Sequence, residues 1–131
     1  MHTTLTLVLY MAIVTWVLIL LASLIRARAW TPSGLMLAFG NRDKLPEASA
    51  LAGRAERTAR NTAENFVLFA AIALVAHALS PGNVQVAQGA QVFFIARLVF
   101  VPVYYIGLPF VRTAIWLVSV VGLGMMLAAV L

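Results

Sequence analysis

Apolar residues fill most of this chain in long runs, and short polar stretches separate those runs. No Asp, Glu, Lys or Arg occurs from Met1 to Ile25, and a second uncharged run extends from Phe66 to Leu79. Two further apolar runs follow, interrupted by "SPGN" and "GLPF". A helix needs about 20 such residues to cross a bilayer. The pattern predicts four transmembrane helices, at about residues 5–25, 50–79, 84–106 and 110–131.

The second of these runs is too short to span alone, because Phe66–Leu79 has only 14 residues. Its helix must therefore extend backward through Glu64, Asn61 and Arg60, which brings polar side chains below the membrane surface. Pro46 suits a first helical turn and marks the region where this helix should begin. The connection before it is expected to be an ordered loop, with no fifth element.

Composition excludes a soluble globule, since 63% of the residues are hydrophobic, 10% are charged and the mean hydropathy is +1.00. We expect a single all-α membrane domain over residues 1–131, in which the first run is a retained span rather than a signal peptide. The absence of cysteine excludes a thiolate metal site and a cysteine nucleophile. No second histidine or acid follows His2 or His77 at ligand spacing, so no metal site is expected.

Charge predicts the orientation. Seven of the nine basic residues lie between Arg26 and Arg60, whereas residues 80–90 carry no charge. The positive-inside rule then places the first and third connections in the cytoplasm and both termini outside. The net charge of +5 is interpreted as a topology signal rather than as a nucleic-acid surface. Eight arginines against one lysine indicate a bacterial source, and hence the inner membrane.

Polar residues from all four predicted helices should meet in the cytoplasmic half of the membrane. On the second helix, positions 57, 60, 61 and 64 share one face. On the third, Arg97 and Tyr104 are seven apart, and Arg97 lies about 15 Å from the break at Gly107. Arginine is costly at that depth unless it faces a partner or water. The remaining members of this polar layer are Arg26, Arg28, Tyr105, Arg112 and Thr113.

Each of these residues also has a purely structural interpretation. Arg26 and Arg28 could extend to the head groups, and Arg97 could tie to Glu64 or to backbone carbonyls. Tyr104 and Tyr105 could be interfacial anchors. Taken together, however, a cation-rich site with one deep acid suits a ligand that has carboxylates and an amine. A thiol held beside an arginine there would ionise more easily.

Three segments resemble the MAPEG family, the membrane-associated proteins of eicosanoid and glutathione metabolism. The first is "GRAERTARNTAENF" at residues 53–66, with Glu56-Arg57, Arg60-Asn61 and Glu64. The others are "ARLVFVPVYYIG" at residues 96–107, with a tyrosine seven residues after its arginine, and Arg112-Thr113 at the start of the fourth helix. The resemblance covers nearly the whole chain.

The resemblance implies a homotrimer of four-helix subunits in membrane lipid, with glutathione between neighbouring subunits on the cytoplasmic side. Apolar small-molecule substrates would enter from the lipid. Arg60, Asn61 and Glu64 would hold the peptide, and Arg26, or alternatively Arg28, would bind a carboxylate. Arg97 would support the site, Tyr104 or Tyr105 would hydrogen-bond glutathione, Arg112 would activate the thiolate, and Thr113 would donate a hydroxyl proton.

Three functions remain open at this stage. The first is a glutathione-dependent enzyme of the transferase or peroxidase type. The second is a non-catalytic binding or scaffold protein, since fold does not fix function. The third is an accessory membrane subunit or small transporter, in which Arg97 serves assembly or a polar path.

Overall fold

The computed structural model describes residues 3–131, so His2 lies outside the described residues. Across that range the chain is all-helical, without strands. The helices are α1 (Thr3–Ala27), α2 (Pro32–Phe39), α3 (Ala50–Leu79), α4 (Val84–Ile106) and α5 (Pro109–Ala128). Four of them, all except α2, are long and apolar enough to cross a membrane, as the hydropathy pattern predicts.

The short helix α2 was not expected, and the prediction that the first connection contains no fifth element was wrong. Thr31 caps this helix, because its side-chain oxygen accepts a hydrogen bond from the Gly34 N–H at 3.0 Å. Pro32 occupies the first turn, where its missing N–H costs nothing. Eight residues are too few to span a membrane, so a search for spans does not detect α2.

Helix α3 begins at Ala50 rather than at Pro46. Ser49 is its N-cap and accepts a hydrogen bond from the Ala52 N–H at 3.0 Å. The Pro46 carbonyl instead accepts a hydrogen bond from Arg26. With 30 residues, α3 is about 45 Å long, which exceeds the roughly 30 Å hydrocarbon core. Its charged side chains, from Arg54 to Glu64, all lie in its first half.

Close packing in the half of the bundle away from the polar layer holds the four spans together. The rings of Phe69 and Phe93 stack with centroids 4.3 Å apart, and Met11 and Met126 are fully buried in the same cluster. Helices α4 and α5 meet where Gly122 faces α4, since a Cβ on Gly122 would lie 2.7 Å from the Phe93 backbone nitrogen. This approach of the two backbones makes α4 and α5 a closely packed pair.

A tight turn at the polar end of the bundle fixes how α5 leaves α4. Gly107 adopts a left-handed backbone with φ of 90°, and its N–H bonds to the Val103 and Tyr104 carbonyls. Pro109 then occupies the first turn of α5. Because only one residue separates Gly107 from Pro109, the first turn of α5 lies beside the last turn of α4. Arg112 is thereby brought next to Tyr104.

Candidate functional site

A cleft opens between α3, α4 and α5 near the Gly107 turn, and we call it the Arg112 cleft. Its volume is about 230 Å³. The side chains around it combine one cation, one amide, two hydroxyls and three aromatic rings. They are Asn61, Phe100, Tyr104, Arg112, Thr113 and Trp116. The cleft therefore combines polar groups that suit a charged ligand with aromatic surface that suits an apolar one.

Stacked cations and rings link the bundle interior to this cleft. The Arg112 guanidinium carbon lies 4.5 Å from the Tyr104 ring centroid. The Tyr104 and Phe100 rings meet edge-on, with centroids 5.5 Å apart. On the far side of Phe100, the Arg97 guanidinium carbon lies 4.0 Å from the Phe100 ring centroid. Cations over aromatic faces are attracted by the ring quadrupole, more strongly where water is excluded. The series fixes the orientation of the Tyr104 ring, and that ring in turn supports Arg112.

Arg97 supports the cleft from behind and does not line it. Its side chain is completely buried, and its Nη2 donates to the Thr62 hydroxyl at 2.8 Å. Within residues 3–131, its Nε and Nη1 have no acceptor. The tie is therefore to Thr62, not to Glu64 or to a backbone carbonyl. Because a buried guanidinium with few acceptors is costly, the hydrogen bond to Thr62 is important for the stability of the folded bundle.

An asparagine that sequence reasoning passed over, Asn65, connects α3 to α5. Its Nδ2 donates to the Asn61 carbonyl at 2.8 Å, and its Oδ1 accepts from the Trp116 indole N–H at 3.3 Å. Asn65 is thus bonded to two elements of the cleft wall. Spacing places Asn65 one helical turn after Asn61 and Trp116 one turn after Arg112, which signals that both could lie near the cleft but not that they contact each other.

A second cleft, which we call the Arg26 cleft, lies on the other side of α3, between α1, α3 and the connection that follows α2. Its volume is about 290 Å³. Its charged lining consists of Arg26, Arg42, Glu56 and Arg60. Arg26 pairs with Glu56 at 3.5 Å, whereas Arg28 is exposed and does not line this cleft. Of the two arginines that the sequence left open, Arg26 is the one beside α3.

The polar face of α3 between the two clefts is exposed. Arg57, Arg60 and Glu64 are all exposed, and Asn61 is half-buried at the edge of the Arg112 cleft. In the part of the chain that the structure describes, Arg60 and Glu64 form no ion pair with each other. Charged groups at membrane depth normally face protein or a water-filled cavity. No described residue covers this face.

The two tyrosines point in different directions. Tyr104 lines the Arg112 cleft, whereas Tyr105 packs against the buried cluster of Leu18, Ala22, Ala55 and Ala59. The Tyr105 carbonyl accepts a hydrogen bond from Arg54 Nε at 2.8 Å, which secures the last turn of α4 to α3. In the sequence, Arg54 is one of the seven basic residues between Arg26 and Arg60 that predict orientation.

The predicted site residues thus form four groups. Asn61, Tyr104, Arg112 and Thr113 meet in one cleft, and Arg26 and Arg60 meet in the other. Arg97 and Tyr105 lie inside the bundle, and Glu64 lies on the exposed face between the clefts. A larger hollow of about 680 Å³ at the opposite end, between Thr3 and the α3–α4 turn, contains none of these residues.

Comparisons with known proteins agree with this architecture. No curated protein and no solved structure matches the chain. A comparison with protein families matches the MAPEG family over residues 3–131, which is essentially the whole chain. Four apolar spans and a polar layer at one end accord with that assignment. The chain belongs to the MAPEG family, whose members are membrane proteins of glutathione and eicosanoid metabolism.

Proposed function

We propose that this protein is a glutathione-dependent membrane enzyme of the transferase or peroxidase type, acting on an apolar electrophile. The observation that carries the proposal is the Arg112 guanidinium, held over the Tyr104 ring at the wall of an open cleft. Glutathione would supply a thiolate nucleophile. A fixed cation beside a thiol lowers its pKa, because it stabilises the charged form.

The lining groups suit the other parts of glutathione, which carries two carboxylates and one ammonium. Arginines bind carboxylates through paired N–H donors, and an acid binds an ammonium. Arg26 and Arg60 supply such donors in one cleft, and the Asn61 amide and the Tyr104 hydroxyl supply hydrogen bonds in the other. Glu64, exposed between them, is the acid available for the ammonium.

The cations lie in two clefts on different sides of α3, so one subunit cannot surround a ligand with all of them. We propose that the Arg26 cleft of one subunit meets the Arg112 cleft of its neighbour. Such a contact joins two different surfaces, and repeated contacts of that kind form a ring where the rotation between neighbours closes. A homotrimer is the ring that family membership favours. It would also cover the exposed polar face of α3, whose charges need a partner.

The apolar substrate would reach this site from the lipid. Phe110 and Val111, in the first turn of α5, are 89% and 48% exposed beside Arg112. Trp116 adds an aromatic wall within the cleft. A route along α5 would bring an apolar molecule to the thiolate without passing through water. The seven basic residues at this end of the bundle support a cytoplasmic site and an inner-membrane location.

One observation favours a second candidate, a binding protein without turnover. The Thr113 hydroxyl donates to the Pro109 carbonyl at 3.2 Å, so its proton is engaged within α5. Only Arg112 and Tyr104 would then be available in the cleft to stabilise a thiolate. Binding of glutathione would persist in such a protein, and only the chemistry would be lost.

Turnover assays on the purified protein distinguish the two candidates. Glutathione would be supplied with an aryl halide or with a lipid hydroperoxide, and Arg112→Ala would be compared with the exposed control Arg28→Ala. The proposed enzyme turns over at least one substrate, loses that activity in Arg112→Ala and retains it in Arg28→Ala. Glutathione binding without turnover of either substrate would establish the binding protein instead.

A further inference from the structure

Helix α2 presents large apolar side chains on its outer face. Leu35, Met36 and Phe39 are 45%, 78% and 85% exposed, and the preceding Trp30 is 69% exposed. With Pro32, the three helical residues follow the i, i+3, i+4, i+7 spacing that forms one stripe along a helix. A contiguous apolar stripe of this kind in contact with water would be an interaction surface.

The opposite face of α2 is fixed against the end of α1. A Cβ on Gly34 would collide with the carbonyl groups of Ala27 and Arg28, so glycine permits this close approach. At the other end, Arg42 Nη1 donates to the Ser23 carbonyl at 3.1 Å. Its Nε and Nη2 donate to the Ala38 carbonyl at 3.2 and 3.1 Å. Arg42 therefore connects the last turn of α2 to α1.

These contacts determine the depth of α2. Gly34, in the first turn of α2, lies beside Ala27, and Arg42, just after α2, bonds to Ser23, about 6 Å further back along α1. Helix α2 thus folds back along the last turns of a membrane-spanning helix rather than extending into solvent. Among the described helices, α1 is the only one that α2 contacts. The outer stripe accordingly lies beside the last turns of α1, and no other described helix covers it.

We propose that α2 lies in the interfacial region of the membrane, with Leu35, Met36 and Phe39 among the lipid chains. Tryptophan is enriched at the head-group level, where Trp30 would lie. Arg28 and Lys44 flank the helix and are exposed, so both can reach lipid phosphates. The occupant of this surface is the phospholipid layer, continuous with the lipid around α1. The inference does not depend on glutathione chemistry.

The absence of cysteine allows a direct test of depth by spin labelling. Met36→Cys and Phe39→Cys would each be labelled and reconstituted in vesicles of phosphatidylcholine and phosphatidylglycerol. Power saturation then compares collisions with oxygen, which partitions into lipid, and with a water-soluble nickel chelate. Ala48→Cys, exposed in the loop before α3, is the water-facing control. An unlabelled thermal melt of each variant checks that it folds like the parent.

The proposal predicts that the ratio of oxygen to nickel accessibility is severalfold higher at positions 36 and 39 than at position 48. A ratio at both positions equal to that at position 48 would place the stripe in water and overturn the proposal. Low accessibility to both reagents would show that protein, such as a second copy of the chain, covers the stripe, which equally overturns it. Two labelled positions prevent one poorly tolerated substitution from deciding the result.

Discussion

The guanidinium of Arg112 rests on the ring of Tyr104, with 4.5 Å between the guanidinium carbon and the ring centroid. The two residues come from different helices, α5 and α4, and the Gly107 turn brings them together. Tyr104 has a hydroxyl that can bind a ligand and a ring that supports Arg112. Substitutions at Tyr104 can separate these two contributions.

Tyr104→Phe retains the aromatic face, whereas Tyr104→Leu removes it. Loss of a partly desolvated cation–π contact costs about 1 to 2 kcal/mol. If Arg112 then loses its position, kcat/KM for the glutathione-dependent reaction should fall about 5- to 30-fold in Tyr104→Leu. Tyr104→Phe should retain the Arg112 contact and lose only the hydroxyl's contribution to glutathione binding. Equal losses in both variants would show that the ring does not position Arg112.

The buried pair of Arg97 and Thr62 should respond as a coupled unit. Thr62→Val removes the acceptor at 2.8 Å from Arg97 Nη2 and should lower the free energy of unfolding by about 1 to 3 kcal/mol. In an Arg97→Met background the same change should cost much less, because no buried charge is left without a partner. Unfolding of the four proteins in detergent measures this coupling. Additive effects would contradict the pairing.

Two glycines of α5 form a matched pair for testing helix packing. A Cβ on Gly122 would lie 2.7 Å from the Gly89 carbonyl oxygen, whereas a Cβ on Gly124 meets nothing within 4 Å. Gly122→Ala should therefore destabilise the bundle by about 1 to 3 kcal/mol through overpacking. Gly124→Ala should raise stability by about 0.5 to 1 kcal/mol through helix propensity. Thermal melts in one detergent check both, and equal shifts would contradict the close α4–α5 approach.

A site shared between subunits predicts complementation between two inactive variants. Arg26→Ala and Arg112→Ala would be co-expressed with different affinity tags, and mixed oligomers purified through both tags. Where the intact Arg26 of one subunit meets the intact Arg112 of its neighbour, a complete site forms and activity returns. If each site lay within one subunit, every site would carry a defect. Mixed oligomers without recovered activity would therefore contradict the shared site.

The sequence was sufficient for the spans because membrane crossing imposes a length and a composition that can be counted. The shortness of the run from Phe66 to Leu79 also sufficed to predict that the second span extends back through Asn61, which lies within α3. The sequence could not decide which of two adjacent residues in one helix lines the site. Tyr104 and Tyr105 differ by about 100° around α4, so only the packing against α3 and α5 reveals which one lines the cleft.

Contacts between helices could not be predicted at all. Arg97 was expected to find an acid or a carbonyl, but the α3 residue within reach is Thr62. The Asn65–Trp116 bond joins residues 51 positions apart and depends on how α5 lies across α3. Helix α2 was not predicted from the sequence, because its apolar stripe is too short for a membrane span and its cap, Thr31, lies in a stretch that also resembles a loop. Local sequence patterns determine where the helices form, whereas the packing of one helix against another determines which side chains meet in the site.

Stabilisation of the glutathione thiolate by Arg112 is the central claim, and an ultraviolet titration of bound glutathione measures it most directly. Thiolate absorbance would be followed against pH for the parent protein, Arg112→Ala and the control Arg28→Ala. The expected result is a thiol pKa lowered toward neutrality in the parent and in Arg28→Ala, and restored toward its ordinary value in Arg112→Ala. Glutathione that binds the parent protein without forming thiolate near neutral pH, or that ionises equally well in Arg112→Ala, would contradict the account.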